Sequence, residues 1–140
     1  MSDPAADSQS TNQAPHDSVS TVAELRDLVR RFVDERDWNQ FHAPKNLTMA
    51  LSIEAAELME HFQWLGVEES RCVGERPEVM RDVEEELVDV LSYTLAIANA
   101  LDIDLASTIH AKMEKNARKY PVEEFRGRYG SRDAGRGTAE

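Results

Sequence analysis

The amino-acid sequence predicts an all-α protein of about four main helices. Three observations predict it. Apolar residues recur three and four positions apart along most of the chain. Helix start and stop signals bracket each periodic segment. The 6 glycines and 5 prolines mostly fall near the ends or between those segments. A chain of 140 residues suits one compact domain. Its 41% hydrophobic and 31% charged residues are the balance of a soluble globular protein.

The first helix is expected to begin at Thr21. Thr21 and Glu24 have the spacing of a capping box, in which each side chain satisfies a free backbone donor. Val22, Leu25, Leu28, Val29, Phe32 and Val33 follow at helical spacing, and the pattern fades at Asp37. Residues 37–45 form a connection in which Pro44 disfavours helix at Ala43. Asn46 is expected to cap a second helix that carries Leu47, Leu51, Ala55, Leu58, Phe62 and Leu65 and stops at Gly66. A polar loop over 67–76 leads to Pro77, a residue suited to the first turn of a third helix. That helix places Val79, Val83, Val90, Ile97 and Leu101 on one face. From Leu87 onward it is apolar on almost every side, which predicts a central, buried helix. Asp102 or Asp104 caps a fourth helix with Leu105, Ile109, Met113 and Tyr120 on its inner face, and Pro121 ends it. Residues 1–18 and 127–140 lack the apolar residues needed to fold alone and are expected to be flexible tails. The folded domain is then 19–126.

Two of these helices carry acid where the pattern calls for oil. On the second, Glu54 falls near the middle of the stripe formed by Leu47, Leu51, Leu58 and Leu65, with Glu57 one turn away on its edge. On the third, Glu86 falls among Val79, Val83, Val90 and Ile97, with Asp89 beside it at i+3. An ionised carboxylate facing a core costs several kcal/mol unless it is compensated, and ~20 kcal/mol in the idealised dry limit. Four converging carboxylates would also repel one another. A hard cation with oxygen ligands resolves both problems, and Mg²⁺ is the common choice. A single ExxE or ExxD pair is ordinary on an exposed helix, and Glu60, Glu84 and Glu85 are read that way. Two pairs inside apolar stripes favour a metal site.

The fourth helix repeats the anomaly with Lys112 and Asn116 beside Ile109 and Met113. Lys112 either snorkels to the surface or meets phosphate near the metal with Asn116. Trp38, Phe41 and His42 in the first connection, Trp64 after the second helix and Tyr93 one turn beyond Asp89 flank these sites. Each alone suits a core; together they suit a slot that stacks a base. His42 and His61 are candidate metal ligands, but neither completes the Glu-x-x-His pattern of di-iron bundles.

The formal net charge of -11 disfavours binding to a nucleic acid polymer, which needs clustered Lys and Arg. A single nucleotide remains compatible, because a bound cation reverses the local charge. The first residues lack the basic start and apolar core of a secretory signal, and no apolar run is long enough to span a bilayer. Cys72 is the only cysteine, which excludes an intrachain disulfide and fits a cytoplasmic setting.

The segments EAAELMEHFQW at 54–64 and EEELVDVL at 84–91 resemble the ExxE and ExxD halves of the MazG-like nucleotide pyrophosphohydrolases. ERDWNQFH at 35–42, PKNL at 44–47, KMEKN at 112–116 and RKYP at 118–121 resemble the dCTP pyrophosphatase branch. The resemblance spans about residues 22–126. It implies an all-α MazG-like helical bundle, assembled as a homodimer or homotetramer. It implies Mg²⁺-dependent hydrolysis of a nucleoside triphosphate, dCTP or a modified dCTP, to monophosphate and pyrophosphate. By position, Glu54, Glu57, Glu86 and Asp89 would hold Mg²⁺, and Trp38, His42 and Trp64 would line the base pocket. Tyr93, Lys112 and Asn116 would meet sugar or phosphates, and Glu54 or Glu57 would take a proton from the attacking water. The chain departs from relatives at Val29 and Arg30, where a base-contacting histidine can stand, and in the segment 67–76. A relative preferring dUTP or damaged nucleotides, and a non-catalytic helical binding module, are the alternatives.

Overall fold

The computed structural model describes residues 14–128, and all regular structure among them is helical. Six α-helices occur in order: α1 (Val22–Asp34), α2 (Pro44–Glu60), α3 (Val67–Arg71), α4 (Pro77–Ala100), α5 (Leu105–Lys119) and α6 (Val122–Phe125). Short 3₁₀ turns occupy Trp38–Phe41 and Val73–Glu75. The four long helices are the four that the apolar periodicity predicts.

The capping box at α1 is formed. The Thr21 amide donates to the Glu24 carboxylate at 2.6 Å, and the Glu24 amide donates to Thr21 Oγ1 at 3.2 Å. The backbone hydrogen bond from Thr21 holds the Glu24 carboxyl below its usual value. Farther along, Arg26 fastens α1 to the C-terminal end of α4. Its Nε donates to Asn99 Oδ1 at 2.9 Å, and its Nη atoms donate to the carbonyls of Ile103 and Ala98 at 2.9 and 3.3 Å. Asn99 Nδ2 donates back to the Arg26 carbonyl at 3.0 Å. Carbonyls at a helix C-terminus lack intrahelical donors, and a cation there also suits the helix dipole.

The second helix begins earlier than expected. Ala43, extended at φ -64 and ψ 143, is its N-cap, and Pro44 stands in the first turn. Asn46 is therefore inside α2 and does not cap it. Its Nδ2 donates to the Phe41 carbonyl at 3.0 Å and ties the 3₁₀ turn to the helix. At the other end α2 stops at Glu60, and Gly66 serves as the N-cap of α3. The stretch 67–76 is not an open loop, because α3 and a 3₁₀ turn fill it and bury Val73.

The main packing is α4 between α2 and α1. Leu47 of α2 and Ala98 of α4 are each 1% exposed, and Val33, Leu95 and Ala96 complete this small core. The expectation that α4 is buried on several sides fails for one chain. Leu87, Val88 and Leu91 stay exposed, because α1 and α2 cover only part of its circumference. The expected inner face of α5 is likewise uncovered. Asp104 caps this helix by accepting from the Ser107 amide at 2.8 Å, while Asp102 takes a left-handed φ of 51. Ile109 is nevertheless 59% and Met113 52% exposed, and no residue of α5 is buried. Contiguous apolar faces of this kind mark interaction surfaces.

Of the expected tails, residues 1–13 and 129–140 lie outside the described residues. Within the remainder, the amides of Val19 and Ser20 both donate to the His16 carbonyl at 2.9 Å, forming a turn before α1. Among the described residues no helix is long and apolar enough to cross a membrane.

Arg26→Ala removes three donors from partly buried acceptors. It is expected to lower the unfolding free energy by about 2–3 kcal/mol in urea titration. A change below about 0.5 kcal/mol, the range of an ordinary surface substitution, would show that this clamp does not fix α1.

Candidate active site

The register between α2 and α4 decides where the acids meet. Glu54 and Glu57 are three residues apart on α2, so they project side by side. Glu86 reaches them from α4. One carboxylate oxygen from each of the three lies within 4.8 Å of the others. Glu54 and Glu86 are half-buried and Glu57 is exposed. Asp89 falls outside this triplet and is exposed, yet its charge is felt at Glu54. Burial is the largest cause that pushes the Glu54 carboxyl above its usual value, followed by the charges of Glu57, Asp89 and Glu86.

Nothing basic relieves this repulsion among the described residues. The ion pairs formed are Arg30–Asp27, Arg36–Glu35, Arg71–Glu68 and Arg76–Glu69, all outside the cluster. The donor set is carboxylate oxygen alone, which fits a hard divalent cation such as Mg²⁺ and suits soft metals poorly. His61, at the C-cap of α2, and His42 are not part of the triplet.

A second feature lies farther along α4. A cavity of about 190 Å³ opens between α1, the first 3₁₀ turn and α4, against Val29, Val33, Asp34, Asn39, His42 and Ala96. His42 Nδ1 is buried there with no hydrogen-bond partner. Trp38 meets His42 edge-on at 6.5 Å and Phe32 edge-on at 5.8 Å, and Arg36 stacks over Phe32 at 3.7 Å. This aromatic chain is set by Asp37, whose left-handed φ of 52 turns the backbone out of α1. Asp89, Tyr93, Ala96 and Ala100 fall at i, i+4, i+7 and i+11. One stripe of α4 therefore runs from the carboxylates to the cavity.

The other sequence-predicted residues are not gathered here by one chain. Trp64 follows α2, is 87% exposed and has no aromatic partner among the described residues. Lys112 and Asn116 sit on α5, which packs closely on neither α2 nor α4. Tyr93 is half-buried on the α4 stripe. Asp34, Asn39 and Asn99, which line the cavity, do not stand out in the sequence. An acid as the last residue of α1 was the available signal, because the helix dipole disfavours an anion there.

Two packed helices thus gather carboxylates without a described cationic partner, an α-helical arrangement whose donor set would suit a hard cation. Residues 49–130 match the MazG-like family. The chain is 42% identical over 110 residues to dCTP pyrophosphatase 1 of Bos taurus, which covers 79% of this chain and 65% of that protein. It is 43% identical over 102 residues to dCTP pyrophosphatase 1 of Homo sapiens, covering 73% and 60%. A pyrophosphatase of known crystal structure from Archaeoglobus fulgidus DSM 4304 is 42% identical with a TM-score of 0.65, covering 77% of this chain and 99% of that one. The chain belongs to the MazG-like family. It spans about 65% of the length of the bovine relative and 60% of the human one.

Because the folded state raises the Glu54 pKa above its ordinary 4.5, the folded chain binds more protons than the unfolded chain between those two values. Stability contributed by this group therefore rises as pH falls through that window. A divalent cation competes with the same proton. The gain in Tm from Mn²⁺ or Mg²⁺ is expected to be largest at neutral pH and to shrink on acidification. Glu54→Gln is expected to raise the Tm of the metal-free protein at neutral pH and to abolish the gain from metal. A gain unchanged in Glu54→Gln would remove this carboxylate from the metal site.

Proposed function

We propose that the chain is a Mg²⁺-dependent nucleoside triphosphate pyrophosphohydrolase. It cleaves dCTP, or a modified dCTP, between the α and β phosphates to the monophosphate and pyrophosphate. The observation that carries this reading is the convergence of Glu54, Glu57 and Glu86 without a described cationic partner. The named activities of the bovine, human and archaeal relatives support it.

In this reading Glu54, Glu57, Glu86 and Asp89 hold the metal. Mg²⁺ held there would supply charge neutralisation for the triphosphate and make the attacking water more acidic. The chain's own residues do the remainder. The carboxylates fix the phosphate end against α2 and α4. Glu54 or Glu57 takes the proton of the attacking water at its Oε atoms. Trp38 and His42 hold the base at the cavity, with Tyr93 between base and phosphates. The stripe of α4 gives the spacing: seven residues from Asp89 to Ala96 rise about 10 Å, a distance that the sugar and phosphates of one nucleotide bridge.

The active form is a homodimer or homotetramer. Leu87, Val88 and Leu91 on α4 and Ile109 and Met113 on α5 are its contact surface. The assembly brings Trp64 to the base and Lys112 and Asn116 to the phosphates, where Lys112 stabilises the charge that develops on the leaving pyrophosphate. A small domain with so few buried residues gains stability from such a surface.

Purified protein incubated with individual dNTPs, with and without Mg²⁺, is expected to yield monophosphate plus pyrophosphate only with metal, fastest from dCTP or a 5-substituted dCTP. Glu57→Gln is expected to lower kcat by about a hundredfold or more while leaving the circular dichroism unchanged. Diphosphate plus phosphate as products would contradict the assigned bond. Absence of turnover from folded protein would favour the binding-module reading, and dUTP turned over fastest would favour the dUTP-preferring one.

A further inference from the structure

The cavity between α1 and α4 stays open where elementary packing would close it. Val29 and Val33 form its α1 wall, and Ala96, Asn99 and Ala100 form its α4 wall. Packed helices approach to ~8–10 Å according to the side chains at their crossing, and alanines permit the near end of that range. A gap of about 190 Å³ instead leaves the wall side chains short of contact partners, which costs stability. Something other than apolar contact therefore sets the spacing.

Arg26 is placed to set it. Arg26, Val29 and Val33 fall at i, i+3 and i+7, so the clamp and the wall share one face of α1. Ala96, Asn99 and Ala100 fall at i, i+3 and i+4 and share one face of α4. The clamp stands at one end of the cavity. Asn39 and His42, beyond the last residue of α1, border the other.

The contacts are those of a spacer. The Nη atoms of Arg26 donate to the carbonyls of Ile103 and Ala98 at 2.9 and 3.3 Å, which seats the guanidinium on the main chain at the end of α4. Nε donates to Asn99 Oδ1 at 2.9 Å, and Asn99 Nδ2 donates to the Arg26 carbonyl at 3.0 Å. One residue thus holds both ends of one amide, and the Asn99 side chain is not free to turn. These contacts are half-buried, and Arg26 forms no ion pair among the described residues. A planar fork sends its donors in fixed directions, which an ammonium on a flexible stem does not. Arg26 itself stands outside the cavity lining, so it acts on a ligand only through the wall.

We propose that Arg26 is a positioning residue for the nucleotide: it fixes the separation of α1 from α4 and so holds the cavity open to the width of one ring. This rests on the nucleotide reading above and adds a residue that acts on the ligand from a distance. The acidic triplet is set by α2 against α4 and does not depend on the spacer. Loss of the spacer therefore weakens nucleotide binding and leaves the response to metal alone.

The test compares wild type, Arg26→Lys, Arg26→Ala and Val73→Ala. Val73 is 3% exposed and lies outside both the cavity and the acidic triplet, so Val73→Ala lowers stability without touching the spacer. Three quantities are read: the Kd of dCMP from tryptophan fluorescence without metal, KM and kcat for dCTP with Mg²⁺, and the gain in Tm from Mn²⁺. Arg26→Lys is expected to raise the Kd of dCMP and the KM of dCTP about tenfold or more, within the roughly hundredfold that a ~1 Å misplacement can cost. Its kcat is expected to stay within about twofold, the mark of lost binding rather than lost chemistry. Its gain in Tm from Mn²⁺ is expected to equal that of wild type. Val73→Ala is expected to lower the Tm and keep both the Kd and the KM. A crystal structure of Arg26→Ala is expected to show α1 moved onto α4 and the cavity closed. Arg26→Lys that binds dCMP within about twofold of wild type would overturn the proposal and leave the nucleotide reading standing. So would Val73→Ala that weakens binding as much as Arg26→Lys, or an Arg26→Ala structure with the α1–α4 separation unchanged. A wild type that neither binds dCMP nor turns over dCTP would remove the nucleotide reading, and the role of Arg26 toward the nucleotide with it.

Discussion

Packing α2 against α4 forces together three carboxylates that repel one another. Leu47, buried to 1% exposure, and Leu95 with its neighbours fix the two helices in register. Glu54, Glu57 and Glu86 are then anchored within reach of one another, with one carboxylate oxygen from each inside 4.8 Å of the others. The repulsion is visible at Glu54, whose carboxyl group is pushed above its usual value by burial and by its acidic neighbours. Folding energy from apolar contact holds a charge arrangement that is unfavourable by itself. This is the common pattern of a preorganised site: scaffold stability supplies what the site costs, and a ligand recovers it on binding. The Arg26–Asn99 clamp serves the same end at the far side of the domain. It sets α1, and with α1 the aromatic turn and the cavity, against the C-terminal end of α4.

Much of this was legible in the sequence because two rules collided in it. Helical periodicity predicts oil at positions 54 and 86, and the chain places acid there. Such a conflict survives only where something else compensates, so it located the acidic triplet from residue types alone. The capping box at Thr21 and Glu24 and the first-turn proline of α4 were legible for a simpler reason, since both act through contacts three or four residues apart. What escaped was non-local or depended on competing local signals. Asn46 and Pro44 both mark a helix start, and the proline prevailed because Ala43 was already extended. Residues 67–76 are polar enough to read as loop, yet Val73 anchors them by burial. The Arg26 clamp joins residues more than seventy positions apart, and no periodicity reports it. Asp34 and Asn39 pair across the end of α1 at the surface, a contact five positions apart that no helical periodicity reports.

The faces of α4 and α5 teach a related lesson. Periodicity predicts that a residue is covered; it does not say by what. Leu87, Leu91, Ile109 and Met113 carry the pattern of core residues and are exposed in the single chain. Covering them with a second copy reconciles pattern and exposure, and is the proposed route by which α5 contributes Lys112 and Asn116 to the site. On that proposal, phosphate chemistry and subunit contact would share one helix.

Anomalous diffraction tests most directly whether the acids of α2 and α4 hold a hard divalent cation. Crystals grown with Mn²⁺ are measured near the manganese absorption edge. The expected result is an anomalous peak coordinated by oxygens of Glu54, Glu57 and Glu86. A map without a peak at this cluster, with Lys or Arg side chains of a neighbouring subunit neutralising the three carboxylates instead, would contradict it.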